Sequence, residues 1–222
     1  MLGIGTILPV PDLASLIHPS TTAVVTMECQ RGVVGDLATF PALRDAVLES
    51  GSIEAMTTVV GAARRAGATV VHALAHFRPD RLGSSTNAPL LAYAATIPGQ
   101  LEEGSPAAEL IPELGPEASD VSSARRHGVS PFIGTDLDAI LRSRSVTTVV
   151  AVGVSLNVGI LGLCIEAVNL GYRAVVPTDA TVAVPPSYAD AVLANTISQL
   201  ATLTDSAAIV GSWNAVTRPS AD

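Results

Sequence analysis

The chain has no lysine. Its 12 basic side chains are all arginines, set against 20 aspartates and glutamates, for a formal net charge of −8 at pH 7. That absence excludes Schiff-base chemistry through a lysine, a P-loop and a lysine general base. Charge of either sign is sparse: charged residues make up 14% of the chain, against roughly 25% in an average soluble domain. Aromatic residues are 3% and hydrophobic residues 48%, so the core must be built from Ala, Val, Leu and Ile. The acidic balance and the lack of a basic run argue against nucleic acid and anionic membrane as partners. Two cysteines, Cys29 and Cys164, are too few for a disulfide framework and show no C-x-x-C spacing. This is the usage expected of a cytoplasmic protein.

Residues Met1 to Leu16 carry no positive charge ahead of their apolar positions, which makes a poor secretory leader. Ser145 to Ile165 is free of charge and long enough to span a bilayer. It nevertheless holds Ser155, Asn157, Gly153, Gly159 and Gly162, and it changes midway from a β-branched run to a helical pattern. A buried strand, a turn and a buried helix are the expected reading.

What is present is a repeated alternation of apolar β-branched runs and helical stretches. The pattern predicts strands at Ala23–Met27, Thr69–Ala73, Thr147–Val152, Arg173–Pro177 and Ala207–Val210. Predicted helices cover Ser52–Arg65 (closed by Gly67), a short stretch near Pro89–Ala95, Asp136 to about Arg144, Asn157–Leu170 (closed by Gly171) and Ser187 to about Leu203. Thr135 to Asp138 and Ser187 to Asp190 have the form of capping boxes. Strands separated by helices imply parallel crossovers. The expected fold is therefore a single three-layer, Rossmann-like α/β domain over residues 1–222. It should have a parallel sheet of about six strands, an N-terminal arm at 1–20 and a loop-rich segment at 77–123.

In such folds the ligand site lies beyond the carboxyl ends of the strands, where strand order reverses. That rule selects Glu28 to Arg31, His76 to Asp80, Gly153 to Gly159 and Asp179. Glu28, at the end of a buried strand, is the leading candidate for acid/base work. Cys29 and Cys164 read as core cysteines. His72 and His76 do not form a ligand set with Asp80, and no metal is expected.

Several segments together resemble the isochorismatase-like hydrolases: Thr22 to Gly32 (TAVVTMECQRG), Ser130 to Leu137 (SPFIGTDL), Gly153 to Gly159 (GVSLNVG) with Glu166-Ala167 and Gly171-Tyr172 following, and Asp179-Ala180. The resemblance covers Ala23 to about Ala180. It implies a cofactor-independent, cytoplasmic enzyme acting on a small molecule, usually as a homodimer or homotetramer. The family's usual trio of Asp, Lys and Cys falls on Glu28, Arg126 and Gly159, with Arg125 one step from the middle position. Gln30, Arg31, His127, Phe132, Val154, Ser155 and Asn157 would line the substrate site, with a cis peptide at Val154–Ser155. Gly159 has no thiol to offer, and in this respect the chain resembles the glycine-bearing true isochorismatases. That likeness implies vinyl-ether hydrolysis with Glu28 as acid in an arginine-lined pocket. A lyase or isomerase on the same scaffold, and a catalytically silent binding protein, are the alternatives.

Overall fold

A computed structural model describes residues 12–217. After the one-turn helix α1 (Leu13–Leu16) comes β1 (Thr22–Met27), then α2 (Pro41–Ser50) and α3 (Ser52–Ala66), followed by β2 (Thr69–Ala75) and α4 (Pro89–Ala95). The chain continues through β3 (Val121–Arg125), α5 (Leu137–Ser143), β4 (Thr148–Val154), α6 (Leu161–Asn169), β5 (Arg173–Pro177), β6 (Thr181–Val182), α7 (Ala189–Asn195), β7 (Ala201–Thr204) and α8 (Ser206–Thr217). Seven parallel strands form one sheet in the order β3-β2-β1-β4-β5-β7, with β6 pairing on β4 beyond β5. The expected α/β, three-layer parallel architecture is thus the observed one.

Every residue of β1 and β4 is buried, as it must be in a sheet covered on both faces. Alternate side chains serve opposite layers. Val24, Val150 and Val175 pack with Met56, Val59 and Val60 of α3 and with Ile209 and Trp213 of α8. Val25, Met27 and Ala151 pack with Leu137 and Leu141 of α5 and with Leu163 and Ala167 of α6. These small and β-branched side chains supply the core that a chain poor in aromatics requires.

The structure corrects several expectations. The sheet has seven strands rather than about six. One lies at Val121–Arg125, overlapping the end of the segment read as loop. This strand pairs only with β2 and alternates exposed and buried positions, so its polar sequence (VSSAR) suits an edge. Helix α2 had no counterpart in the sequence reading. The expected last strand, Ala207–Val210, lies inside α8, and the last strand is Ala201–Thr204, where the pattern predicts the end of a helix. Asp205 decides the boundary: its Oδ1 accepts from Ala208 N at 2.7 Å, while the Asp179 carboxylate accepts from Ser206 N at 2.9 Å. Neither capping box forms. Thr135 Oγ1 accepts from Leu137 N at 3.2 Å, Asp138 turns instead to Arg142 and Tyr172, and α7 has no side-chain cap. Residues 1–11 of the expected arm lie outside the described residues. Ile17 is fully buried, and its carbonyl accepts from Trp213 Nε1 at 2.7 Å.

A buried polar bridge ties α3 to the sheet edge. His72 Nδ1 meets Thr26 Oγ1 at 2.8 Å, its Nε2 meets Asp120 at 3.2 Å, and Arg64 reaches the same carboxylate at 2.6 Å. Burial holds the His72 pKa below its ordinary 6.5, outweighing the pull of Asp120. The unfolded chain therefore binds this proton more readily than the folded one. Stability from this site is full above pH 6.5 and falls as the pH drops below it. Urea midpoints measured between pH 7.5 and 5 should decline in the wild type, with a slope of at most ~1.4 kcal/mol per pH unit from this group. The decline should be shallower in His72→Gln.

Candidate active site

The order of the strands reverses between β1 and β4, so their carboxyl ends diverge and leave a crevice. The two strands approach closely just below it. Gly153 has φ +110°, and a Cβ there would lie 2.3 Å from the Met27 carbonyl oxygen, so only glycine fits. Glu28 follows β1 directly in left-handed backbone, with φ 53°, a region costly for a residue with a Cβ. Neighbouring hydrogen bonds fix it there. Glu28 N donates to Ala73 O at 2.9 Å, and Gln30 N donates to Glu28 O at 2.8 Å.

Arg125, not Arg126, faces Glu28. Its Nη2 donates to Glu28 Oε1 in an ion pair whose side chains are 7% and 19% exposed, and its Nε donates to Gly128 O at 3.0 Å. Arg125 is the last residue of β3, and strand alternation turns its side chain inward, leaving Arg126 outside. Arg126 pairs at the surface with Glu103 at 3.2 Å. The remaining guanidinium nitrogen, Arg125 Nη1, is buried with no hydrogen-bond partner among the described residues.

A cleft of about 370 Å³ opens beside this pair, toward the small end of ligand-binding cavities. Glu28, Arg125, Ser155, Asn157 and Gly159 line its polar end. The Val154–Ser155 peptide is cis, as the resemblance implied. Asn157 shapes the wall rather than offering free groups. Its amide bonds Val184 O at 3.2 Å and accepts from Val184 N at 3.3 Å.

The other expected site residues lie elsewhere. Gln30 is buried and spends its amide on Ala75 and Ala108, clamping the end of β2 to the loop at 106–110. Arg31 pairs with Asp36 and Glu109 in a separate groove. His127 accepts from Ser85 N at 3.2 Å and borders a small pocket together with Arg126. Phe132 is buried against Tyr172, ring centroids 6.0 Å apart. Val154 is fully buried, and its carbonyl bears on Gly159. The cleft is therefore lined by one arginine, not several.

Sequence reasoning missed the cleft's apolar wall. Of three Phe, three Tyr and one Trp in the chain, Phe40, Phe77 and Tyr93 line this cleft. Phe40 and Tyr93 meet edge to face at 5.4 Å. The scarcity of aromatics was the available signal, because these three lie in loops or on a half-exposed helix rather than at strand-core positions.

No thiol reaches this site. Burial, then the Glu28 charge, pushes the Cys29 pKa up to about 12, and burial alone does the same to Cys164. Such thiols are inert as nucleophiles. At Gly159 a Cβ would lie 2.8 Å from Val154 O and 3.1 Å from Met27 Cε. The place of a side chain there is already filled. Among the described residues no group of three or more His, Cys, Asp or Glu could hold a metal, and no helix is long and apolar enough to cross a membrane.

The isochorismatase domain family matches residues 22–208, and the chain belongs to this family of hydrolases. It is 33% identical over 105 residues to the uncharacterized isochorismatase family protein YwoC of Bacillus subtilis, a match covering 47% of this chain and 52% of that protein. The chain thus spans about half the length of that relative. It is 28% identical over 188 residues to the ureidoacrylate amidohydrolase RutB of Rhizobium rhizogenes, covering 78% of this chain and 74% of that protein. A solved isochorismatase family protein from Desulfovibrio vulgaris superposes with a TM-score of 0.75 at 25% identity, over 89% of this chain and 99% of that one.

Two outcomes follow for position 159. Gly159→Cys should destabilise the fold by ~1–3 kcal/mol through overpacking, read as a lower denaturant midpoint. Adding Met27→Val should recover only part of that loss, because the Val154 carbonyl stays in place.

Proposed function

We propose that the protein hydrolyses an enol ether bearing one carboxylate, by adding water and without an acyl-enzyme. The observation that carries this reading is Gly159, where the site has neither a nucleophilic side chain nor room for one. A chemistry that needs a proton carrier and a carboxylate anchor, but no nucleophile, suits what remains.

The substrate carboxylate is anchored on Arg125, which lines the cleft and whose planar fork matches a carboxylate. Displaced from the guanidinium, Glu28 takes up a proton and becomes the acid. It delivers that proton to the terminal vinyl carbon. The alkene electrons form the new C–H bond, leaving an oxocarbenium ion. Water adds to the cationic carbon and returns a proton to Glu28. The hemiketal then breaks its C–O bond, its hydroxyl proton passing to the departing ether oxygen, to give a 2-keto acid and an alcohol. One water is consumed, and Glu28 ends protonated, as it was when it became the acid.

Turnover of enolpyruvyl ethers, assayed beside amides and carbamoyl compounds, tests the reading. The ethers should be cleaved, with one deuterium in the product methyl group in D2O and the ether oxygen retained in the alcohol. Glu28→Gln should lose ~10²–10⁴-fold in kcat, the usual share of a proton carrier. Arg125→Gln should mainly raise KM. Cleavage that survives in Glu28→Gln, or activity confined to amides, would overturn the assignment.

A further inference from the structure

The remainder of the cleft says what the rest of the substrate is. Among its described lining residues Glu28 and Arg125 are the only charged side chains, and each faces the other. Arg31 and Arg126, which would have supplied further positive charge, are turned away and paired elsewhere. Beyond the polar end the wall is apolar, formed by Leu43, Phe77, Leu90, Leu91, Tyr93 and Val184.

We infer, on the basis of the enol-ether reading above, that the substrate is a monoanion. Its single carboxylate is joined to a compact, uncharged body of aryl or branched-alkyl character. One arginine balances one carboxylate. Arg81 stacks on Phe77, 4.7 Å from the ring centroid, but does not itself line the cleft; a second carboxylate would therefore enter an apolar wall with no lining cation to meet it, and burying an unpaired charge is costly. An uncharged body instead removes its own apolar surface and that of the wall from water. The Phe40–Tyr93 pair at the mouth joins the N-terminus of α2 to α4. It offers ring faces and edges to a planar body.

Binding tests this without turnover. In titration calorimetry, phenylpyruvate (one carboxylate, aryl body) should bind the wild type at least tenfold more tightly than homophthalate, a dicarboxylate of similar size. Leu90 is 45% exposed on α4 and lines the cleft, so Leu90→Arg can fold while adding the missing cation. It should reverse or erase the preference. Leu82→Arg, at a 70% exposed position outside the cleft, should leave both affinities unchanged. Equal or tighter homophthalate binding by the wild type overturns the inference, as does an unchanged preference in Leu90→Arg. Selective binding with no enol-ether cleavage overturns only the reaction assigned above. Cleavage without selectivity overturns only the monoanion inference.

Discussion

The Glu28–Arg125 ion pair is the constraint around which this end of the molecule is arranged. It bridges the carboxyl ends of β1 and β3 across the end of β2, so it closes over the strand between them. Charges this far from water are costly to bury and persist only where further hydrogen bonds complete them. Here the completion is backbone. Gly128 O takes Arg125 Nε, and the left-handed turn at Glu28 is held between Ala73 and Gln30. Gln30 in turn bonds both polar groups of Ala75 and the carbonyl of Ala108, with its amide mimicking a piece of strand. The loop after β3 is anchored from the other side, where Ser130 Oγ and Phe132 N both donate to Glu166 on α6. Glu28, Arg125 and the cleft floor are therefore positioned by elements from both sides of the strand-order reversal.

Arginine in place of lysine changes what the pair can do. A single ammonium offers three donors from one nitrogen, whereas the guanidinium spreads its donors over three nitrogens in a fixed plane. Arg125 spends one nitrogen on Gly128 and one on Glu28, and keeps a third without a partner. A buried donor without a partner carries a desolvation cost. In a chain without lysine, the residue at this position ties the end of β3 to both Gly128 and Glu28, which one ammonium would have to do from a single nitrogen.

The fold was legible wherever burial on both faces forced continuous apolar strands. Arg173–Pro177 falls where the pattern puts it. It was illegible at the sheet edges. Edge strand β3 exposes Ser122 and Ala124 while burying the polar Ser123 and Arg125, and edge strand β7 is half-buried throughout, so neither carries the two-sided apolar signature. At the site, Glu28 could be found because it ends a buried strand, and Gly159 because the family resemblance sets it where the usual nucleophile stands. Arg125 against Arg126 could not be settled by counting, since the answer depends on which side of β3 faces inward, and β3 itself was unseen. Arg31, His127 and Phe132 were drawn to the site by adjacency to motif residues. Each is diverted by a local partner that adjacency does not reveal: Asp36 and Glu109, Ser85, and Tyr172, respectively.

The departures at positions 28, 125 and 159 make sense only together. Met27 reaches toward Gly159 and, with the Val154 carbonyl, occupies the space that a nucleophile's side chain would need. With that place closed, a carboxylate and a guanidinium are left facing a small cleft whose other walls are apolar. Such a site cannot share electrons with its substrate through a covalent bond at Gly159. It can still move a proton, hold one negative charge and exclude water from an apolar body. Those three capacities reinforce one another. Apolar walls strengthen the hold of Arg125 on a carboxylate by lowering the local dielectric. A carboxylate drawn to Arg125 frees Glu28 from the guanidinium that otherwise engages it. On the reaction proposed above, binding of the substrate and readiness of the proton carrier are therefore a single event, and a ligand lacking either the carboxylate or the apolar body would achieve only half of it.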